Sequence, residues 1–198
     1  MSATAGVSGG DRWTIDDAGI LSSAGQVVSP NCDARPQECA IELLVIHNIS
    51  LPPGSFGGNS IAELFTNCLD PQAHPHFREI ADRRVSSHFL IRRDGELIQF
   101  VPCGSRAWHA GESQWGNRHR CNDFSIGVEL EGADDLPFEE AQYLVLVRLV
   151  ATLRAAYPIT DCVGHSDIAS PRGRKTDPGP HFDWAHFRAL EGDANAGR

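Results

Sequence analysis

The stretch "GRKTDPGPHFDW", residues 173–184, sets a lysine and an aspartate two positions apart and follows the aspartate with a proline. A residue before proline is pushed toward extended geometry, so Pro178 restricts the Asp177 backbone and makes its carboxylate a fixed, hard oxygen ligand. In an extended segment residues two apart point the same way, which puts Lys175 on the side of Asp177, where an ammonium can stabilise an oxyanion. Two histidines, His47 and His165, each close an apolar run where the chain leaves for a loop, the place at which α/β folds carry reactive groups. Two imidazole nitrogens and one carboxylate oxygen make the three-ligand set of a catalytic zinc site, with the fourth position left for water. Spacing alone does not select this triple. The chain has nine histidines, and the plain alternative for His47 and His165 is an interior imidazole with satisfied hydrogen bonds. Glu129 and Glu131 share one face of a strand, where either can accept a proton from water. Spacing leaves the choice between them open, against the alternatives of an exposed strand face and, for Lys175, a solvated surface cation.

The elements that must hold these groups are legible from periodicity. "IELLVIH", 41–47, is rich in branched apolar residues and suits a strand buried on both faces. "SIAELFTNCL" reads as a short helix capped by Ser60, with Glu63 completing a capping box. In "SSHFLIRRDGELIQFV" the Asp94-Gly95 pair predicts a hairpin. "FSIGVELE", 124–131, alternates apolar and polar residues and predicts a half-buried strand with both glutamates on its polar face. Leu146, Leu149, Val150, Leu153 and Tyr157 recur at helical spacing within 137–157, which Pro158 ends. "ITDCVGH", 159–165, predicts one more strand, and Asp183 caps a last helix over "WAHFRAL". The reading is an α/β fold in a single domain, a mixed β-sheet with helices packed on it. A Gly, Ser, Ala and Pro-rich N-terminal arm covers 1–27, flexible over its first ten positions, and a short tail covers 191–198.

The formal net charge of −9 gives no general attraction to nucleic acid or anionic membrane. "MSATAGVSGGDRW" lacks the basic start and apolar run of a secretory signal, and no apolar stretch reaches membrane-spanning length. Six scattered cysteines without a C-x-x-C pair read as reduced thiols, and the expected location is cytoplasmic.

Taken together, "LLVIHNISLPPGSFGG", "VSSHFLIRRDGELIQFVP", "RAWHAGESQWGNRHRCNDFSIGVELEG", "GHSDIA" and "RKTDPGPHFDW" resemble the AmpD family of N-acetylmuramyl-L-alanine amidases over roughly residues 28–188. The resemblance implies the fold shared by peptidoglycan recognition proteins and type 2, phage-type amidases, with a zinc amidase domain over 28–190. It implies one zinc held by His47, His165 and Asp177, with Glu129 as general base and Lys175 as the catalytic lysine. The implied sugar and peptide contacts are Asn48, Arg84, Trp108 and Arg120. The implied reaction is hydrolysis of the amide between the lactyl group of 1,6-anhydro-N-acetylmuramic acid and L-Ala of the stem peptide. That is a step in cell-wall recycling which also influences β-lactamase induction. The partner expected is a soluble anhydromuropeptide, without nucleic acid, membrane or an obligate protein partner. Two other readings use the same fold: a peptidoglycan-binding, receptor-like module without catalysis, and an amidase acting on the wall polymer.

Overall fold

The computed structural model describes residues 12–196, so the flexibility expected of the first ten positions lies outside the described residues. In chain order the strands are β1 (Gly25–Gln26), β2 (Cys32–Ala34), β3 (Leu43–Ile49), β4 (Phe89–Ile91) and β5 (Leu97–Gln99). Then come β6 (Ser105–Ala107), β7 (Gln114–Trp115), β8 (Arg118–His119), β9 (Ser125–Glu131) and β10 (Asp161–Gly164). The helices are α1 (Ser60–Phe65), α2 (Phe77–Ile80), α3 (Glu140–Ala156), α4 (His165–Ile168) and α5 (Trp184–Ala196). Six strands form one sheet in the order β1-β5-β4-β9-β3-β10, and β2–β6 and β7–β8 make two small antiparallel ribbons. Only β4 and β5 run antiparallel in the large sheet; its other neighbours are parallel. This is the mixed α/β sheet expected.

The predicted strand at 41–47 starts two residues later, and its first five residues are buried. Its alternate side chains serve two layers. Leu44 and Ile46 join Ile126, Val128 and Leu130 of β9 against Leu146, Leu149, Val150 and Leu153 of α3, the residues whose helical spacing predicted that packing. Leu43 and Val45 point to the opposite face with Phe124, Val163 and Ile168. His47 continues that second row.

The Asp94-Gly95 hairpin forms, with a longer loop than a two-residue turn. Gly95 N–H donates to Arg92 O (2.9 Å) and Arg92 N–H to Glu96 O (2.9 Å), with Gly95 at φ +89°. That is a turn followed by a left-handed glycine, the usual three-residue solution. The cap of α1 differs from the expectation. Ser60 is already the first helical residue, Asn59 takes the cap position, and no side chain there bonds the helix end. On α3 a capping box does form, between Glu139 and Gln142, and Asp183 Oδ1 caps α5 by accepting from His186 N–H (2.9 Å). The largest correction concerns β9. Every one of its residues is buried, Glu129 and Glu131 included, because β3 and β4 flank it and other segments cover its polar face.

At the ends, Leu21 lies in the main core and β1 extends the sheet beside β5, so residues ahead of position 28 are built into the fold. α5 runs without a break through position 190. Among the described residues no helix is long and apolar enough to cross a membrane.

Candidate metal and catalytic site

Three parallel neighbours, β9, β3 and β10, end on the same side of the sheet, and their register brings three predicted site residues level. His47 pairs with Glu129 across β3 and β9. Gly164 pairs with Ile46, so His165, the next residue, arrives beside His47 as the first residue of α4. Residues separated by more than a hundred positions thus meet because parallel strands share a C-terminal edge.

Asp177 is delivered by a turn docked on the end of β10. Gly179 N–H donates to Thr176 O (3.0 Å), and Ser166 N–H donates to Asp177 O (2.9 Å). A side chain at Gly164 would place its Cβ 2.8 Å from Pro178 Cδ, so glycine there is what lets the turn approach. A turn, rather than the extended run expected from Pro178, holds Asp177 and leaves Lys175 lining the same cavity. Asn48 ties the turn down from below, donating to Asp134 Oδ1 (2.6 Å) and Pro178 O (3.0 Å).

His47 Nδ1, His165 Nδ1 and Asp177 Oδ2 form a triangle with every side 3.0 Å. The remaining nitrogen of His165, Nε2, lies 3.0 Å from Ala110 O. A carbonyl only accepts, so Nε2 carries a proton, and Nδ1 is the nitrogen that a cation in the triangle would take. Burial holds His47 down to about 4, so its ring is neutral near pH 7. Two imidazole nitrogens and a carboxylate oxygen converging at this spacing fit a zinc ion in donor type and number.

Glu129 stands next to this triangle with its Oε2 buried and without a hydrogen-bond partner among the described residues. Burial, then the charge of Asp177, pushes its carboxyl well above the ordinary 4.5, opposed by the nearby Lys175 cation. Glu131, its rival from spacing, is engaged elsewhere: it accepts from Gly57 N–H (2.6 Å) and Arg92 Nη1 (3.3 Å). His47, His165, Asp177, Glu129 and Lys175 line one cavity of about 290 Å³.

Residues 37–180 match the N-acetylmuramoyl-L-alanine amidase family. The chain belongs to that family. It is 57% identical over 178 residues, 89% of this chain and 94% of the relative, to the 1,6-anhydro-N-acetylmuramyl-L-alanine amidase AmpD of Salmonella typhimurium strain SL1344. A crystal structure of a selenomethionine AmpD derivative superposes with a TM-score of 0.85 at 56% identity, covering 88% of this chain and 97% of that one. More distantly, at 28% identity and a TM-score of 0.54, the chain resembles the Escherichia coli N-acetylmuramyl-L-alanine amidase AmiD in complex with anhydro-N-acetylmuramic acid-L-Ala-D-γ-Glu-L-Lys, covering 90% of this chain and 65% of that one. This is a single-domain amidase of the AmpD fold.

The contacts expected for substrate divide into those the amidase brings to the cavity and those it does not. Trp108 and Asn48 line it, although the Asn48 amide is occupied by Asp134 and Pro178. Arg84 is exposed, its guanidinium 3.5 Å from Ala81 O, and it is the preceding Arg83 that lines the cavity. Arg120 is 70% exposed, paired with Asp123 (3.3 Å), and away from the cavity. Among the cavity residues that escaped the sequence reading are Arg83 and His109. Arg83 is one position from a predicted contact, and His109 adjoins Trp108 in the quoted "RAWHAG" block, so adjacency was the available signal.

Proposed function

We propose that this amidase hydrolyses the amide between the lactyl group of 1,6-anhydro-N-acetylmuramic acid and the L-Ala of its stem peptide, in cytoplasmic cell-wall recycling. The observation that carries the reading is the 3.0 Å triangle of His47, His165 and Asp177 beside a buried Glu129 whose Oε2 has no hydrogen-bond partner among the described residues. The high identity to AmpD supports the substrate. The triangle residues would hold one zinc, which supplies Lewis-acid polarisation of an amide carbonyl and acidifies water.

In this reading Glu129 does the proton work. As a carboxylate it takes a proton from the attacking water while the water oxygen bonds to the lactyl carbonyl carbon. As the carbon–nitrogen bond breaks, the same group returns that proton to the leaving amine of L-Ala. Lys175 faces the negative charge that develops on the carbonyl oxygen, an interaction strongest in the transition state. Trp108 offers a flat apolar wall for the sugar. Removing inducing muropeptides by this step is how the chain would influence β-lactamase expression.

A defined anhydromuramyl-tripeptide, its reducing muramyl counterpart and intact sacculi, each followed by mass spectrometry, test the proposal. The anhydro ring removes a hydroxyl and locks the sugar, so the anhydro substrate is expected to be cut at least about tenfold more efficiently, or about 1.4 kcal/mol. Binding without product points to a receptor-like module, and rapid peptide release from sacculi points to a wall-polymer amidase.

A further inference from the structure

We infer that His109 is a positioning residue for His47, fixing it in the tautomer whose bare Nδ1 faces the metal triangle. The order of protons can be read from the far end of a buried chain of contacts. Ser125 Oγ lies 2.6 Å from Cys121 O, and a carbonyl cannot donate, so the serine hydroxyl proton points there. His109 Nε2 lies 3.2 Å from the same Oγ, which can now only accept, so His109 is protonated at Nε2. In the neutral ring its Nδ1 is then a bare acceptor. That nitrogen sits 2.9 Å from His47 Nε2, which must carry the proton, leaving His47 Nδ1 free for a cation. Reversing the sequence would set the serine lone pairs against the Cys121 carbonyl at 2.6 Å.

The backbone is shaped around this imidazole. A Cβ at Gly127 would lie 2.5 Å from His109 Cγ and 2.7 Å from its Nδ1, so only glycine on β9 leaves room for the ring. Asn122 Oδ1 holds the segment that carries it, accepting from His109 N–H (3.2 Å) and Ala110 N–H (2.8 Å). Ala110 in turn offers its carbonyl to His165 Nε2 (3.0 Å). One dipeptide therefore orients both histidines of the triangle, His47 through a side chain and His165 through the main chain. Outer partners of metal-bound histidines act in this way generally, setting ring orientation and ligand basicity.

The inference rests on the reading that His47, His165 and Asp177 hold zinc, and two measurements keep the two apart. Chelator competition on the wild-type protein measures zinc binding directly; failure to bind removes the metal reading. Long-range ¹H–¹⁵N correlation spectra of histidine-labelled protein, with and without zinc, report which ring nitrogen is protonated. The expected pattern is a proton at Nε2 and none at Nδ1 for both His109 and zinc-loaded His47; a proton at His109 Nδ1 overturns the inference. His109→Leu, which has no acceptor, should weaken zinc binding by about 10- to 100-fold. His109→Gln, which can accept from His47 and donate to Ser125, should restore most of it. Zinc affinity unchanged in His109→Leu, or equally weak in both variants, would also refute the role. Should the leucine variant not fold, the spectra of the wild-type protein still decide.

Discussion

Glu129 and Glu131 are two residues apart on one strand, and their neighbours divide them. Period-two alternation places both on one face, so no spacing rule can choose. The choice is made by groups that arrive from elsewhere in the chain: Gly57 and Arg92 engage Glu131, while Glu129 lines the cavity and its buried Oε2 has no hydrogen-bond partner among the described residues. Glu129→Ala is therefore expected to retain zinc, measured by metal analysis, and to lower kcat by roughly 10² to 10⁴. Glu131→Ala should instead lower the unfolding free energy read from urea denaturation, by about 1–3 kcal/mol, because it removes the buried carboxylate that Gly57 N–H and Arg92 bond. The raised carboxyl of Glu129 also predicts a stability effect with a definite sign. A folded-state value above the unfolded 4.5 favours folding of the protonated form, so stability is full at low pH and falls as pH rises through the folded value. In metal-free protein, Glu129→Gln should be more stable than wild type at pH 8, with the gap closing toward pH 4. Equal stabilities at pH 8 would show that Glu129 is better solvated than its burial indicates. Lys175→Ala should keep zinc and lose about 10²-fold in kcat; a change confined to KM would make it a substrate-binding residue instead.

At the scale of elements, what periodicity encodes was legible and what covers a surface was not. The apolar repeat of α3, the hairpin over Asp94-Gly95 and the cap at Asp183 depend on local chemistry, and they formed. Ser60 missed the cap position because the helix starts one residue earlier than its side chain would need. β9 was expected to be half-exposed, since alternation reports which side chains share a face and says nothing about what packs over it. Arg83 and Arg84 are indistinguishable as letters. The turn in which Arg83 N–H donates to Ile80 O (2.9 Å) leaves one lining the cavity and the other in solvent. The contact between β10 and the Asp177 turn gives an element-level test. Gly164→Ala puts a methyl group 2.8 Å from Pro178 Cδ and must push the turn away. Zinc affinity should fall further than thermal stability; loss of stability alone, with zinc affinity kept, would mean that Asp177 reaches the site without this contact.

For the molecule as a whole, the triangle joins segments 130 residues apart in sequence, so metal and fold should be thermodynamically linked. With free zinc at 100 times its Kd, the folded state gains about 2.7 kcal/mol, and chelation should lower Tm accordingly in a calorimetric scan. The mixed α/β class and the candidate triple were readable from the sequence because motif blocks and strand-end histidines are local. The strand order was not, because it is fixed by pairings between distant segments. That order has a consequence during synthesis. β3 lies between β9 and β10, both of which follow it in the chain, and its pairing partner for His47 is made 82 residues later. At about 5–20 residues per second this leaves roughly 4 to 16 s in which a run of apolar residues has both hydrogen-bonding edges open. A nascent chain in which β3 has emerged and β9 has not thus presents a template for strand addition.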